Sequence, residues 1–258
     1  MGGTGFLGSY VAERLAVGGR PLSVLVRPTS DRSVLPTNVD VDLRVGALED
    51  PDLPLEGIST VVYCASMGFG HIPALLEQLR LAGVARGVFV STTAIFTRLP
   101  AASRAPRVAA EAAVQASNLE WTILRPTMIY GTARDRNISR LLRFLGRWPV
   151  FPVCGNALWQ PIYVEDLADA VVSALYRPTT SGRVYNLAGA YPIRFDDLVR
   201  TAARVIFRRV FLVRVPVAAA VLAARATRVV TREQILRLAE DKAFDYAEAT
   251  RDFDFHPR

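Results

Sequence analysis

The residues whose types and spacing bear most directly on chemistry stand at the start of the chain. Gly2, Gly5 and Gly8 recur every third residue in Met1-Gly2-Gly3-Thr4-Gly5-Phe6-Leu7-Gly8, and Tyr10, Val11, Leu15 and Ala16 follow at helical spacing. Glycine at those places permits a tight turn, close approach of backbone to a pyrophosphate, and close packing of a helix on a strand. The helix N-terminus then offers free N–H groups to an anion. The spacing predicts a dinucleotide cradle over Gly2, Thr4, Gly5, Phe6, Leu7 and Gly8. Arg27 closes the next apolar run, where an acid would take the ribose hydroxyls of the adenosine. A guanidinium there suits a 2′-phosphate, so NADP(H) is favoured over NAD(H), with Arg32 as a helper. The other reading of Arg27 is a solvated arginine at a strand end.

Alternating elements must carry these residues. Strands are predicted over 21–27, 39–45, 59–65, 87–91, 120–124 and 183–187, and helices over 10–16, 72–82, 108–116 and 166–176. That rhythm predicts an α/β, Rossmann-type doubly wound parallel sheet with helices on both faces. From 195 onward the pattern reads as mostly helical, broken at Pro216. The expected division is a nucleotide domain, 1–131 plus 157–190, and a small, mainly helical substrate or partner lobe, 132–156 plus 191–258. A glycine fingerprint of this kind follows a strand, and only Met1 precedes it here. That strand is central in a doubly wound sheet, so the expectation is that a first strand of some six apolar residues lies upstream.

Composition narrows the class. The 258 residues are 51% hydrophobic and 21% charged, enough for a large core and unlike disorder or a coiled coil. Cys64 and Cys154 are too few for a disulfide framework and sit in no Cys-x-x-Cys, so a reducing, cytoplasmic setting is expected and a metal is not. The net charge of +7 is local: eight arginines and no acid lie between Arg200 and Arg232, which leaves the remainder at −1. Apolar residues interleave with these arginines. The open readings are arginine stems covering a small lobe, an anionic substrate, a protein partner, or peripheral contact with the inner face of a membrane. No nucleic-acid motif accompanies the charge, so nucleic acid is not expected. The most apolar stretch, Val215–Ala224, is too short to span a bilayer.

Six motifs in order carry a resemblance: Gly2-Gly3-Thr4-Gly5-Phe6-Leu7-Gly8, Val61-Val62-Tyr63-Cys64-Ala65-Ser66, Phe89-Val90-Ser91-Thr92-Thr93-Ala94, Leu124-Arg125-Pro126-Thr127-Met128-Ile129-Tyr130-Gly131, Gln160-Pro161-Ile162-Tyr163-Val164-Glu165-Asp166 and Tyr185-Asn186-Leu187-Ala188-Gly189. With them nearly the whole chain resembles the extended, atypical short-chain dehydrogenase/reductases of the NAD-dependent epimerase/dehydratase group. The resemblance implies that Ala65 and Ser66 line the cofactor and that the turn after Pro126 approaches the nicotinamide. It also implies family catalytic positions at Thr93, Ser103 and Arg107, with Arg107 touching the ribose as well.

The departures matter as much. The family's oxidoreductases use a Tyr-x-x-x-Lys pair, and Lys242, the single lysine, follows Leu238 by four. Ser103 stands at the tyrosine place, Arg107 at the lysine place with Glu111 one turn on, and Ala47 where an aspartate commonly meets adenine. Serine is a far weaker acid than a phenol, and a guanidinium is a poor substitute for a lysine. Tyr10-x-x-x-Arg14 and Tyr130-x-x-x-Arg134 imitate the dyad but read as structural, as do His71 and His256. Glu165 and Asp166 read as acids at a helix start. Two functions remain. One is a nucleotide-binding accessory or sensor protein, similar to the complex I accessory-subunit group or the NmrA-like sensors, bound to a protein complex. The other is an NADP-dependent oxidoreductase, epimerase or dehydratase on an unidentified small substrate.

Overall fold

The computed structural model describes residues 1–37, 41–99, 101–227 and 232–258. Among these, the chain runs α1 (Phe6–Val17), β1 (Leu22–Val26), β2 (Val41–Val45), β3 (Thr60–Tyr63), α2 (Ile72–Leu81), β4 (Arg86–Val90), α3 (Arg104–Gln115), β5 (Glu120–Pro126) and β6 (Ile129–Tyr130). It continues through α4 (Ile138–Arg147), β7 (Val150–Val153), β8 (Leu158–Trp159), β9 (Ile162–Tyr163), α5 (Val164–Tyr176), β10 (Arg183–Leu187) and β11 (Ile193–Arg194). It closes with α6 (Phe195–Val205), β12 (Phe211–Arg214), α7 (Val217–Thr227), α8 (Arg232–Leu238) and α9 (Ala247–Phe253).

The main sheet is parallel, in the order β10-β5-β4-β3, and β1 pairs with β2, also in parallel. The strands of the main sheet are rich in valine, isoleucine and leucine because helices cover both its faces, whereas β2 is largely exposed. On one face Leu7 and Val11 of α1 and Leu167, Val171 and Ala174 of α5 pack on Val88, Val90 and Leu124. On the other, Leu75 and Leu79 of α2 and Val114 of α3 pack on Tyr63, Phe89 and Ile123. The Rossmann-type expectation holds in this layering.

The two sheets do not meet. Between β1 and β3 lies a cavity of about 390 Å³ walled by Leu22, Val24, Val61, Val62, Val11 and Leu175. Met1 bonds the β3 side of it: the Met1 amino group donates to the Val62 carbonyl at 2.8 Å, and Cys64 N–H donates to the Met1 carbonyl at 3.0 Å. Burial pushes the Met1 ammonium pKa down and the Cys64 thiol up to about 11.

From Phe195 the described residues are mostly helical, as α6, α7, α8 and α9, and they also hold a strand not expected there: Phe211–Arg214 pairs in parallel with β7. One boundary is corrected. Helix α3 begins at Arg104, four residues ahead of the expected start, because Pro106 falls in its first turn, where a missing N–H costs nothing. The first two residues of the strand expected over 39–45, and Arg228, lie outside the described residues.

Candidate nucleotide-binding site

The glycine turn is built by exclusion. Gly5 N–H donates to the Gly2 carbonyl at 2.9 Å, and Gly2 holds φ +78°, in the left-handed region. A Cβ on Gly2 would lie 2.8 Å from the Ala65 nitrogen, on Gly3 2.6 Å from Val24 Cγ1, and on Gly8 2.0 Å from the Gly2 carbonyl oxygen. Side chains cannot fit there. Gly5 is the N-cap of α1 and brings no side-chain acceptor, which leaves the first-turn amides of Phe6, Leu7 and Gly8 without an intrahelical partner. A bare helix start folded this closely on itself fits a pyrophosphate.

Arg134, read from sequence as structural, lies across this turn. Its guanidinium donates to Ser9 Oγ at 3.0 Å and to the Thr4 carbonyl at 3.2 Å. The Asp31 carboxyl is held below the usual range, chiefly by two hydrogen bonds from Ser33 and also by the charge of Arg134. That charge is therefore felt in the loop after β1, where Arg27 stands exposed with its backbone N–H on Ser30 Oγ at 3.1 Å.

A cavity of about 1050 Å³ opens from the turn. Thr4, Gly5, Phe6 and Thr93 line it, together with Trp159 and Lys242 from the far wall. The Thr93 hydroxyl donates to the Pro126 carbonyl at 3.2 Å. Gly2, Leu7, Gly8, Arg27, Ala65, Ser66, Ser103, Arg107 and Pro126 are not among its lining residues. Ala65 abuts Gly2, and Ser66 Oγ accepts from Gly68 N–H at 3.3 Å. Arg107 donates to Ser103 Oγ at 3.1 Å, and its stem lies against Gly68. Burial, then the nearby Arg237 charge, lowers the Arg107 pKa. Glu111 is not its partner. That carboxylate is buried and takes Ser91 Oγ and the Arg125 guanidinium, tying α3 to the ends of β4 and β5.

The far wall was not legible as a site. Gln160 is buried, and its amide donates to the Gly189 carbonyl at 2.7 Å and accepts from Phe244 N–H at 2.9 Å. Glu240 accepts from Thr97 Oγ1 at 2.7 Å and from Arg98 N–H at 2.8 Å. These bonds hold residues 240–244 over the cavity. Lys242 Nζ lies 3.6 Å from the centre of the Trp159 ring, and burial lowers its pKa to about 8. His71 bonds Tyr63 OH in the core, and Asp166 pairs with Arg258 at 2.7 Å in the first turn of α5. Among the described residues no group of three His, Cys, Asp or Glu could hold a metal, and no helix is long and apolar enough to cross a membrane.

Comparison with known proteins agrees with this geometry. A family model described as NAD(P)H-binding matches residues 2–144. The chain is 28% identical over 212 residues to NADH dehydrogenase (ubiquinone) 1 alpha subcomplex subunit 9, mitochondrial, of Arabidopsis thaliana, covering 73% of this chain and 52% of that protein. It is 23% identical over 234 residues to the chloroplast stem-loop binding protein of 41 kDa b of the same plant, covering 79% and 61%. The chain thus spans about half to three-fifths of these relatives' length. In fold it is similar to a nucleoside-diphosphate-sugar epimerase from Pseudomonas aeruginosa, with a TM-score of 0.82 at 19% identity, covering 100% of this chain and 90% of that one.

Proposed function

Since the chain belongs to the NAD(P)H-binding family, we propose that the glycine turn and the uncapped start of α1 hold the pyrophosphate of a dinucleotide, with NADP(H) preferred over NAD(H). The observation that carries this is the set of glycines whose added Cβ would meet backbone or a buried valine within 3.0 Å. Arg27 and Arg32, with Arg134 across the turn, would take the 2′-phosphate and the pyrophosphate. Ala65 and Ser66 would flank the nucleotide, Arg107 would meet its ribose, and Pro126 would approach the nicotinamide. The nucleotide domain comprises 1–131 plus 157–190, and the partner lobe 132–156 plus 191–258.

The function we infer is that of a nucleotide-binding accessory or sensor protein in the cytoplasm, seated on a protein complex or on the inner face of a membrane through its basic lobe. Support comes from the absence of Tyr-x-x-x-Lys and from the plant relative, a subunit of an NADH dehydrogenase. One observation favours a second reading, an oxidoreductase, epimerase or dehydratase. Lys242, with a pKa near 8, lines the same cavity as Thr93. When bound, the nicotinamide would supply or accept a hydride. Thr93, Ser103 and Arg107 would orient the ligand, and Lys242 would hold or release a proton at Nζ.

Calorimetric titration with NADPH and NADH tests the binding. NADPH should bind at least tenfold more tightly, and Arg27→Asp should remove that preference. A folded chain that binds neither nucleotide overturns the reading. Fast turnover of a small substrate by the unmodified chain would overturn the accessory role in favour of the enzyme.

A further inference from the structure

The β7–β12 ribbon leaves one face bare. In parallel register Phe211 stands beside Val150 and Val213 beside Pro152, so these four side chains share a face. All four are exposed: Phe211 by 67%, Val213 by 49%, Val150 by 46%, and Pro152 likewise. The alternate residues Phe151 and Leu212 turn inward onto the core of the lobe, around Trp159, Phe195 and Val199. Parallel strands are normally covered on both faces, so a two-stranded parallel ribbon with an open apolar face calls for an outside partner.

Two more exposed aromatic residues stand in the segments that lead into the two strands. Trp148 is 54% exposed beside the start of β7, and Phe211 N–H donates to the Pro149 carbonyl at 2.7 Å. Phe207 is 97% exposed. It follows α6 with φ +54°, at the position of a helix stop where glycine is usual, with Arg208 N–H donating to the Ala203 carbonyl at 2.9 Å. Folding gains nothing from a phenyl group held in water on a left-handed residue.

The surroundings are of one sign. Between Asp135 and Glu165 the chain has four arginines and no acid, and between Asp197 and Glu233 it has eight arginines and no acid. The ribbon joins these two stretches. Arg140, Arg143, Arg147, Arg204, Arg208 and Arg209 are all exposed, and Arg208 donates to the Gly146 carbonyl, stitching α4 to the α6–β12 turn. Acid enters at the start of α6, where Asp196 lies 3.9 Å from Arg214.

We propose that this face docks on an anionic lipid bilayer, with Trp148, Phe207, Phe211 and Val213 entering the headgroup–acyl boundary and the arginines meeting lipid phosphates. Exposed cations in the same lobe as exposed aromatic and aliphatic side chains are the combination such an interface recognises. Nucleic acid fits less well: it would meet the arginines but would leave Val150, Pro152 and Val213 in water. The proposal is independent of nucleotide binding.

The test is co-sedimentation of the full chain with vesicles of phosphatidylcholine alone and with one-third phosphatidylglycerol, with and without NADPH. The proposal expects binding to the anionic vesicles only, weakening as salt rises. Phe207→Gly with Phe211→Ser should cost roughly tenfold or more in vesicle affinity while the melting temperature holds or rises, since glycine suits φ +54°. Arg147→Gln with Arg209→Gln should cost roughly fivefold or more and flatten the salt dependence. The proposal fails if the anionic vesicles are not bound, or are bound equally by the aromatic double variant. It also fails if the wild-type chain self-associates through this face, or prefers an RNA hairpin to the vesicles. Failure of NADPH to bind, with vesicle binding intact, would overturn the nucleotide reading alone.

Discussion

Gly8→Ala puts the nucleotide turn to a quantitative test. The new methyl carbon would stand 2.0 Å from the Gly2 carbonyl oxygen, against a floor of 3.0 Å for real Cβ contacts, so the turn or the helix must move by about 1 Å. Both neighbours are backbone, and no rotamer change relieves the clash. Overpacking of this kind costs about 1–3 kcal/mol, occasionally more. The upper part of that range is expected, because the Gly2 carbonyl is also the acceptor that closes the turn for Gly5 N–H. If the displacement falls on the amides that grip the pyrophosphate, about 2–3 kcal/mol is about 30- to 150-fold in Kd. Calorimetry with NADPH reads the affinity, and urea unfolding reads the stability of the same preparation. Gly146→Ala is the control. It lies in α4 with nothing within 4 Å of the added carbon, so it should stabilise the fold by about 0.5–1 kcal/mol and leave Kd unchanged. A folded Gly8→Ala protein binding NADPH within threefold of the wild type would refute the reasoning.

Other outcomes follow from the same geometry. Arg134→Ala should weaken NADPH and NADH binding alike by roughly tenfold, since its guanidinium crosses the turn itself; calorimetry checks it. Arg125→Met should destabilise the protein by about 3–5 kcal/mol in urea, because it strands the buried Glu111 carboxylate. The Lys242 pKa is near 8 in the folded chain and 10.5 when free, so between those values the unfolded chain binds more protons. Stability should therefore rise with pH across that window in the wild type, and Lys242→Met should abolish the rise relative to it.

Much of this architecture was legible because its signals are local. The glycine spacing, the β-branched runs and the helical period of residues 10–16 each depend on neighbours a few positions away. The β7–β12 ribbon was not legible. Phe211-Leu212-Val213-Arg214 is too short to show alternation, and its partner lies some sixty residues upstream. Lys242 was invisible as a cavity residue for a similar reason: Gln160, far back in the chain, reaches Phe244 and sets the 240–244 segment in place. Arg134 reads from sequence only as part of the turn after Tyr130; its guanidinium returns to the start of the chain, a contact that no local spacing announces. Sequence shows which residues repeat; it does not show which distant side chains come home to the same turn.

The gap between β1 and β3 also divides the molecule kinetically. Among the described residues no ladder hydrogen bond joins the β1–β2 pair to the four-stranded sheet; it is held by side-chain packing, Val24, Val26 and Leu35 against Ala12 of α1 and Leu25 on the core around Tyr63 and Phe89. Such a unit should open on its own, and its amides should exchange with solvent well before those of β4 and β5. Arg27 rides on the unit that opens first, while the glycine turn is bonded through Met1 to the unit that stays shut. A ligand gripping both would close a circuit that the backbone leaves open, and slowed exchange at residues 22–26 would be the earliest sign of its arrival.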